Sequence, residues 1–154
     1  MKAWKSIATA AIAVVAFYSC SDNRVFDTYK NTNLSGWEKN DTISFSIPAL
    51  KESGAYDSEL GLRINESYPF MGLTLIVEQR IFPADTTVSD TLKCRLIDNL
   101  GNTNGQGVSY YQYRFHIRTM ELKQGDSLQV SIRHNMKREI LPGVSDIGMS
   151  LSLR

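Results

Sequence analysis

The sequence predicts an all-β fold, an antiparallel β-sandwich of about seven to eight strands, and three observations carry that prediction. Seven short segments alternate apolar and polar residues, the period of two that turns one face of a strand toward a core. Gly, Pro, Asn and Asp punctuate the intervals between them, as tight turns require. Beyond residue 20 no stretch sustains a helical period, and at most a turn or two fits near Leu50 to Ser53 or Met136 to Ile140.

The chain begins with a segment of a different kind. Lys2 and Lys5 precede an uncharged apolar run, "IATAAIAVVAF" from Ile7 to Phe17, of the length of a signal-peptide h-region. A bilayer takes roughly 20 apolar residues, so the run is too short to span one. Ser19 is small, as cleavage requires of the preceding residue, and Cys20 supplies a thiol for acylation. Phe17 and Tyr18 are bulkier than usual before such a cysteine, yet the order of charge, apolar run, small residue, Cys and polar start resembles a bacterial lipoprotein signal. On that reading residues 1–19 are cleaved off and Cys20 is the lipidation site and first mature residue. The competing readings are an ordinary secretory signal with an incidental cysteine, or a buried N-terminal helix. Each buried acyl CH₂ contributes about 0.8 kcal/mol and stable anchoring takes more than one chain, which a triacylated cysteine would provide.

Residues 20–40 read as the lipidated N-terminus and a short tether. "DNRVFDTYKNTNLSGWEKN" is polar, and Phe26, Tyr29 and Trp37 are expected to dock it onto the body of the protein. Residues 41–154 form the sandwich domain. Ile43, Phe45 and Ile47 alternate with Thr42, Ser44 and Ser46 until Pro48; Leu60, Leu62 and Ile64 mark a second strand. "GLTLIVEQRIF" is more continuously apolar and reads as a central strand. Val88, Leu92, Cys94 and Leu96 follow, with Asp90 an interruption that belongs on an edge or at the mouth of the pair. "DNLGNTNGQG", residues 98 to 107, is a long loop rich in residues that tolerate positive φ. Tyr111, Tyr113, Phe115 and Ile117 then alternate with outward Gln112, Arg114, His116 and Arg118. Leu128, Val130 and Ile132 form the next strand, and Ile147, Met149, Leu151 and Leu153 the last.

Composition excludes some functions. Removing residues 1–19 takes away two lysines and no acid, which moves the formal charge from +1 to −1. A chain so near neutrality, without a basic stripe, offers nucleic acid no electrostatic footprint. With Cys20 lipidated, Cys94 has no disulfide partner and reads as a small buried hydrophobe. His116 sits beside two arginines and His134 ends the apolar side of its strand, neither with a Cys or carboxylate at ligand spacing, so no metal and no cofactor is expected. No nucleophile elbow, HExxH or P-loop is present, and the chain reads as not an enzyme.

Two surface chemistries remain. Sugars stack on exposed aromatic rings; since Tyr111, Tyr113 and Phe115 share the core parity, Trp37 and Tyr110 are the candidate glycan contacts. The tripeptides opening at Asp41, Asp85, Asp90 and Asp126 resemble Asp-Ser/Thr-apolar O-glycosylation sequences, with Thr42, Thr86, Thr91 and Ser127 as acceptors. The same letters also arise from hairpin chemistry alone, because Asp ends turns and β-branched Thr opens strands.

Read from Cys20, "CSDNRVFDTYKNTNLSGWEKNDTISFSI" shows a cysteine, a polar gap, Val-aromatic-acid-x-Tyr and Trp-x-Lys-x-Asp before the first strand. "YPFMGLTLIV", "DTL" at Asp90 and "LPGVSDIGMSLSLR" follow in order. This series resembles the gliding-motility lipoprotein GldH family of Bacteroidetes across essentially the whole mature chain. The resemblance implies an envelope lipoprotein without assigned catalytic activity, associated with the gliding apparatus in motile members; homologues in non-gliding bacteria keep motility itself from being carried over. Ser21 and Asp22 supply one acid where a surface-export signal carries a cluster, which favours an outer-membrane protein facing the periplasm. The function expected is a non-catalytic accessory or scaffold holding envelope protein partners through strand faces or the Asn/Gly loop. A glycan-binding lipoprotein is the alternative.

Overall fold

The computed structural model describes residues 22–154, so Cys20 and the signal segment lie outside the described residues. Ten strands follow in order: β1 (Arg24–Asn31), β2 (Trp37–Glu38), β3 (Ile43–Ile47), β4 (Gly54–Asn65), β5 (Gly72–Phe82), β6 (Thr86–Arg95), β7 (Tyr110–Leu122), β8 (Ser127–His134), β9 (Ile140–Leu141) and β10 (Val144–Leu153). Eight of them make two four-stranded sheets, β1-β10-β4-β7 and β3-β8-β5-β6, and the short β2 and β9 pair with each other. Every pairing is antiparallel. The stretches around Leu50–Ser53 and Met136–Ile140 hold bends and no helical turn, being too short and too closely bounded by strands to propagate one.

Alternation builds the core. On β5, Leu73, Leu75 and Val77 point inward while Thr74, Ile76 and Glu78 point out. They meet Phe45, Val130 and Ile132 of their own sheet and Leu60, Leu62, Ile147, Met149 and Leu151 of the other, all essentially removed from solvent. Full burial of such a side chain contributes about 1.5–3 kcal/mol, so the sheet-to-sheet interface dominates stability.

Two bulges change what the sequence suggests. Between Ser58↔Arg118 and Glu59↔His116 the register slips by one residue, leaving Ile117 without a partner. Arg114 and His116 face out as expected, but Arg118 is turned to the inner side with buried Ser58, and Met120 and Leu122 then occupy core positions. A second bulge, at Val25, lies in the segment expected as a tether. Residues 24–31 are instead an edge strand of the first sheet, hydrogen-bonded along β10. Its aromatics do dock, on opposite faces: Phe26 meets Phe45 edge-on at 6.5 Å inside, and Tyr29 lies outside. An edge strand that buries one ring on each side shows no period of two, which is why its letters read as irregular.

The connections define two ends. The start of β1, the β3–β4, β5–β6 and β7–β8 turns and the C-terminus lie at one end, here termed proximal. The β1–β3, β4–β5, β6–β7 and β8–β10 connections lie at the other, the distal end. β2 and β9 close the distal end over the core: Trp37 and Leu141 pair there, both fully buried.

Candidate functional site

The distal end gathers the exposed apolar surface. Leu34, Met71, Leu100, Val108, Tyr110 and Ile140 are large, exposed and all on distal connections or strand ends. Among the described residues only Val25 matches them at the proximal end. Isolated exposed hydrophobics are ordinary; here they collect at one end of the sandwich.

The long loop there is held in shape rather than loose. Asp98 caps it, its Oδ1 accepting from the amides of Leu100 and Asn102 at 2.9 Å each, while its own N–H donates to Asn102 O at 2.8 Å. The Asn102 amide foremost, with that of Leu100, holds the Asp98 carboxyl below its usual range. Thr103 pairs with Ile97 as an isolated bridge and shares a 2.8 Å hydrogen bond with the Tyr113 hydroxyl.

Beside Tyr110 runs a polar crevice lined by Asn31, Asn33, Arg63, Asn65 and Asp146. Asn31 Nδ2 donates to Asp146 Oδ1 at 2.7 Å across β1 and β10. A second crevice opens on the second sheet, floored by Phe70, Met71, Ile97 and Met136 and rimmed by Lys93 and Arg95. It continues past Phe70 to Lys137 and Arg138. Sequence reasoning missed this one; apolar residues in "YPFMG" and "HNMKREI" sit in connections, where alternation gives no signal.

The residues singled out by sequence are distributed as follows. Trp37, a candidate glycan contact, is fully buried: its ring meets His134 at 5.3 Å and its Nε1–H donates to Asp41 O at 2.8 Å. It cannot stack on a sugar, and the reason lies in the β2–β9 cover that packs it against the core. Tyr110 is 60% exposed and remains a free ring. Thr42, Thr86 and Thr91 are exposed and Ser127 is half-buried at the start of β8. Cys94 is buried on β6, and burial pushes its thiol up to about 12, so it is inert at neutral pH. His134 is buried too; its Nδ1 accepts from the Met136 amide at 3.4 Å, which leaves Nε2–H to donate to Trp37 O at 3.1 Å. Desolvation lowers its pKa, outweighing the Trp37 carbonyl. His116 is exposed and far from it in register, and no group of three or more His, Cys, Asp or Glu side chains among the described residues is placed to hold a metal.

The motif residues meet one another. Tyr29 lies flat over Gly148 of β10 and Gly61 of β4; a Cβ on either would sit within 2.7 Å of the ring or its hydroxyl. The Arg63 guanidinium covers the ring at 3.9 Å, and Gln112 Nε2 reaches its hydroxyl at 3.4 Å. Gly143, at φ +83°, lets the last strand approach the Tyr68 backbone, where a Cβ would come within 2.3 Å of Tyr68 N. Val-x-Asp-x-Tyr and Gly-x-x-Asp-x-Gly thus meet across β1 and β10, and Gly143 of the latter also packs on Tyr68 of Tyr-Pro at the distal end.

Such a molecule is an antiparallel β-sandwich whose exposed apolar side chains collect at one end. The chain belongs to the GldH lipoprotein family, which it matches over residues 24–151. It is 30% identical to the gliding motility lipoprotein GldH of Flavobacterium johnsoniae over 91% of each chain. With a GldH homolog of Christiangramia forsetii it shares 24% over 98% of this chain and 97% of the relative. Membership of a lipoprotein family makes it a membrane-anchored protein. Among solved structures, a 4-O-methyl-alpha-glucuronidase aligns with 85% of this chain and 18% of its own at a TM-score of 0.48 and 14% identity, too slight a likeness to extend anything to this chain.

Proposed function

We propose that this protein is a non-catalytic accessory or scaffold of a cell-envelope assembly, held at the outer membrane through lipid on Cys20, facing the periplasm, and gripping a protein partner with its distal end. The observation that carries the reading is the segregation of exposed apolar residues to the end remote from the start of β1. An anchor at the N-terminus leaves that end free, and a preformed loop binds with less ordering cost than a floppy one. The names of the relatives, gliding motility lipoproteins, fit an assembly component. The exposed hydroxyls of Thr42, Thr86 and Thr91 and the half-buried one of Ser127 are proposed O-glycan acceptors on the same domain.

Site-specific photocrosslinking in cells tests the proposal. A benzophenone side chain at Leu100 or Leu34 should trap discrete heavier species, and one at Ala84 or Gln124, exposed at the proximal end, should not. Equal trapping from both ends, or none from the distal end, overturns it. The glycan alternative keeps one ring: Tyr110, beside the amides of Asn31 and Asn65, would have to carry sugar binding alone.

A further inference from the structure

We propose that the crevice between the β4–β5 and β8–β9 connections receives an acidic segment of a protein partner, with an apolar side chain seated on its floor. This rests on the scaffold reading above and specifies the chemistry of the partner.

The floor is preformed. Phe70 is fixed edge-on to Tyr68 at 5.7 Å, and Tyr68 is itself tied by its hydroxyl to Gly72 O at 2.7 Å. The Thr74 amide donates to the Met136 sulfur at 3.3 Å, which pins that side chain along the crevice. The amides of Leu96 and Ile97 donate to Met71 O at 3.0 and 3.3 Å, so the neck of the long loop forms its wall. Met71 is left 60% exposed. Thioethers suit a surface that must accept an apolar group of unspecified shape.

The rim is cationic. Lys93 and Arg95 on β6 and Lys137 and Arg138 after β8 line the crevice and its extension, and no carboxylate does. Among the described residues none of the four rim cations has a carboxylate within 4.0 Å, unlike Arg24, Arg80, Arg114, Arg118 and Arg154; what sets the four apart from the other unpaired Lys and Arg side chains is that they gather around one apolar floor. Glu139, which adjoins Arg138 in sequence, forms no ion pair with a rim cation among the described residues, and Asp98, three residues after Arg95, is engaged by its own loop. Four cations without a carboxylate partner around an apolar floor, on a mature chain of net charge −1, complement carboxylates flanking an apolar anchor. A bilayer is the weaker occupant, because the eight residues of β1 rise about 26 Å between the proximal and distal ends.

The test uses the mature lipoprotein in detergent micelles and three fluorescein-labelled peptides: one of Asp and Glu around a central Leu-Phe pair, one with Lys replacing the acids, and one acidic without Leu-Phe. The first should bind roughly tenfold tighter than either other and weaken steeply with salt. Lys137→Glu with Arg138→Glu should cost about tenfold, and Met136→Ala a few-fold, with unchanged unfolding midpoints in the exposed charge variant. Equal binding of the acidic and lysine peptides, or indifference to the charge reversal, overturns the assignment. If that happens while Leu100 still crosslinks in cells, the crevice fails and the scaffold reading stands; if distal crosslinks are absent, both fail.

Discussion

Arg118 of β7 donates two parallel hydrogen bonds to Asp90 of β6, Nε to Oδ2 at 2.8 Å and Nη2 to Oδ1 at 2.9 Å, and so clamps the edge strands of the two sheets together. The bulge at Ile117 makes this happen by turning Arg118 inward, where its carbonyl also accepts from Ser58 Oγ at 3.1 Å. At 35% and 22% side-chain exposure the pair is neither a free surface bridge nor a buried one. Asp90→Ala should therefore cost about 1–2 kcal/mol in chemical denaturation, more than an exposed pair such as Arg80–Asp85. A loss no larger than that of Asp85→Ala would show that the clamp is idle.

Tyr29 and Gly148 form a lock of the opposite kind, shape without charge. Alanine at 148 would ordinarily help a strand, but here its Cβ would meet Tyr29 Cε1 at 2.7 Å and expel the ring from the sheet. Gly148→Ala should destabilise by about 1–3 kcal/mol. In the Tyr29→Ala background the same change should cost little, and a double-mutant cycle with no coupling would refute the contact.

His134 makes stability depend on pH. Burial lowers its pKa beneath the ordinary 6.5, so around and below that value the unfolded chain binds a proton that the folded chain refuses. Its contribution is complete above about pH 6.5 and is lost as the pH falls toward the depressed folded value. Melting temperatures should decline from pH 7 to pH 5, and His134→Gln, which can still donate to Trp37 O, should flatten that decline. An unchanged slope in the variant would assign the dependence elsewhere.

Gln79 is the core's unresolved polar group. It is fully buried on β5, donates from Nε2 to Ser58 Oγ at 3.3 Å, and leaves Oε1 without a partner among the described residues. Methionine fills a similar volume and removes the unpaired oxygen, so Gln79→Met should be neutral or stabilising by about 1 kcal/mol. A clear loss of stability would mean that the Gln79–Ser58–Arg118 link between the sheets outweighs the orphan oxygen.

How much of this was legible varied with position. β3 is legible to the residue because it alternates across a buried and a solvent-facing side, and β5 because a near-continuous apolar run from Gly72 to Phe82 marks an inner strand. β1 is not, having one ring on each face, and neither is the far half of β7, where a bulge reverses parity without any marker among its letters. Asp90 reads from sequence as lying on an edge or at the mouth of a pair, and β6 is an edge strand, yet its partner lies 28 residues away and follows only from the bulge. Trp37 illustrates a limit of composition: an aromatic in a polar stretch reads equally as a displayed ring or a plug, and only the β2–β9 pairing decides for the plug. The distal crevice escaped because connections carry no period.

The orientation of the domain can be tested independently of any partner. The four peptide links from Cys20 to Arg24 reach at most about 14 Å, so lipid on Cys20 would hold the proximal turns close to the bilayer surface. The distal loops would stand a strand length higher. Because the Cys94 thiol is buried and pushed up to about 12, a maleimide fluorophore at neutral pH will report the introduced cysteine of a Cys variant. In vesicles with doxyl-labelled lipid, a fluorophore on Ala84→Cys should be quenched and one on Leu100→Cys should not. Inserting a flexible Gly/Ser segment of about twenty residues after Asp22 should erase the difference, since such a chain allows an end-to-end span near 25 Å. Stronger quenching at Leu100 than at Ala84 would mean that the domain lies with its distal loops on the membrane, and would reverse which end is free to meet a protein.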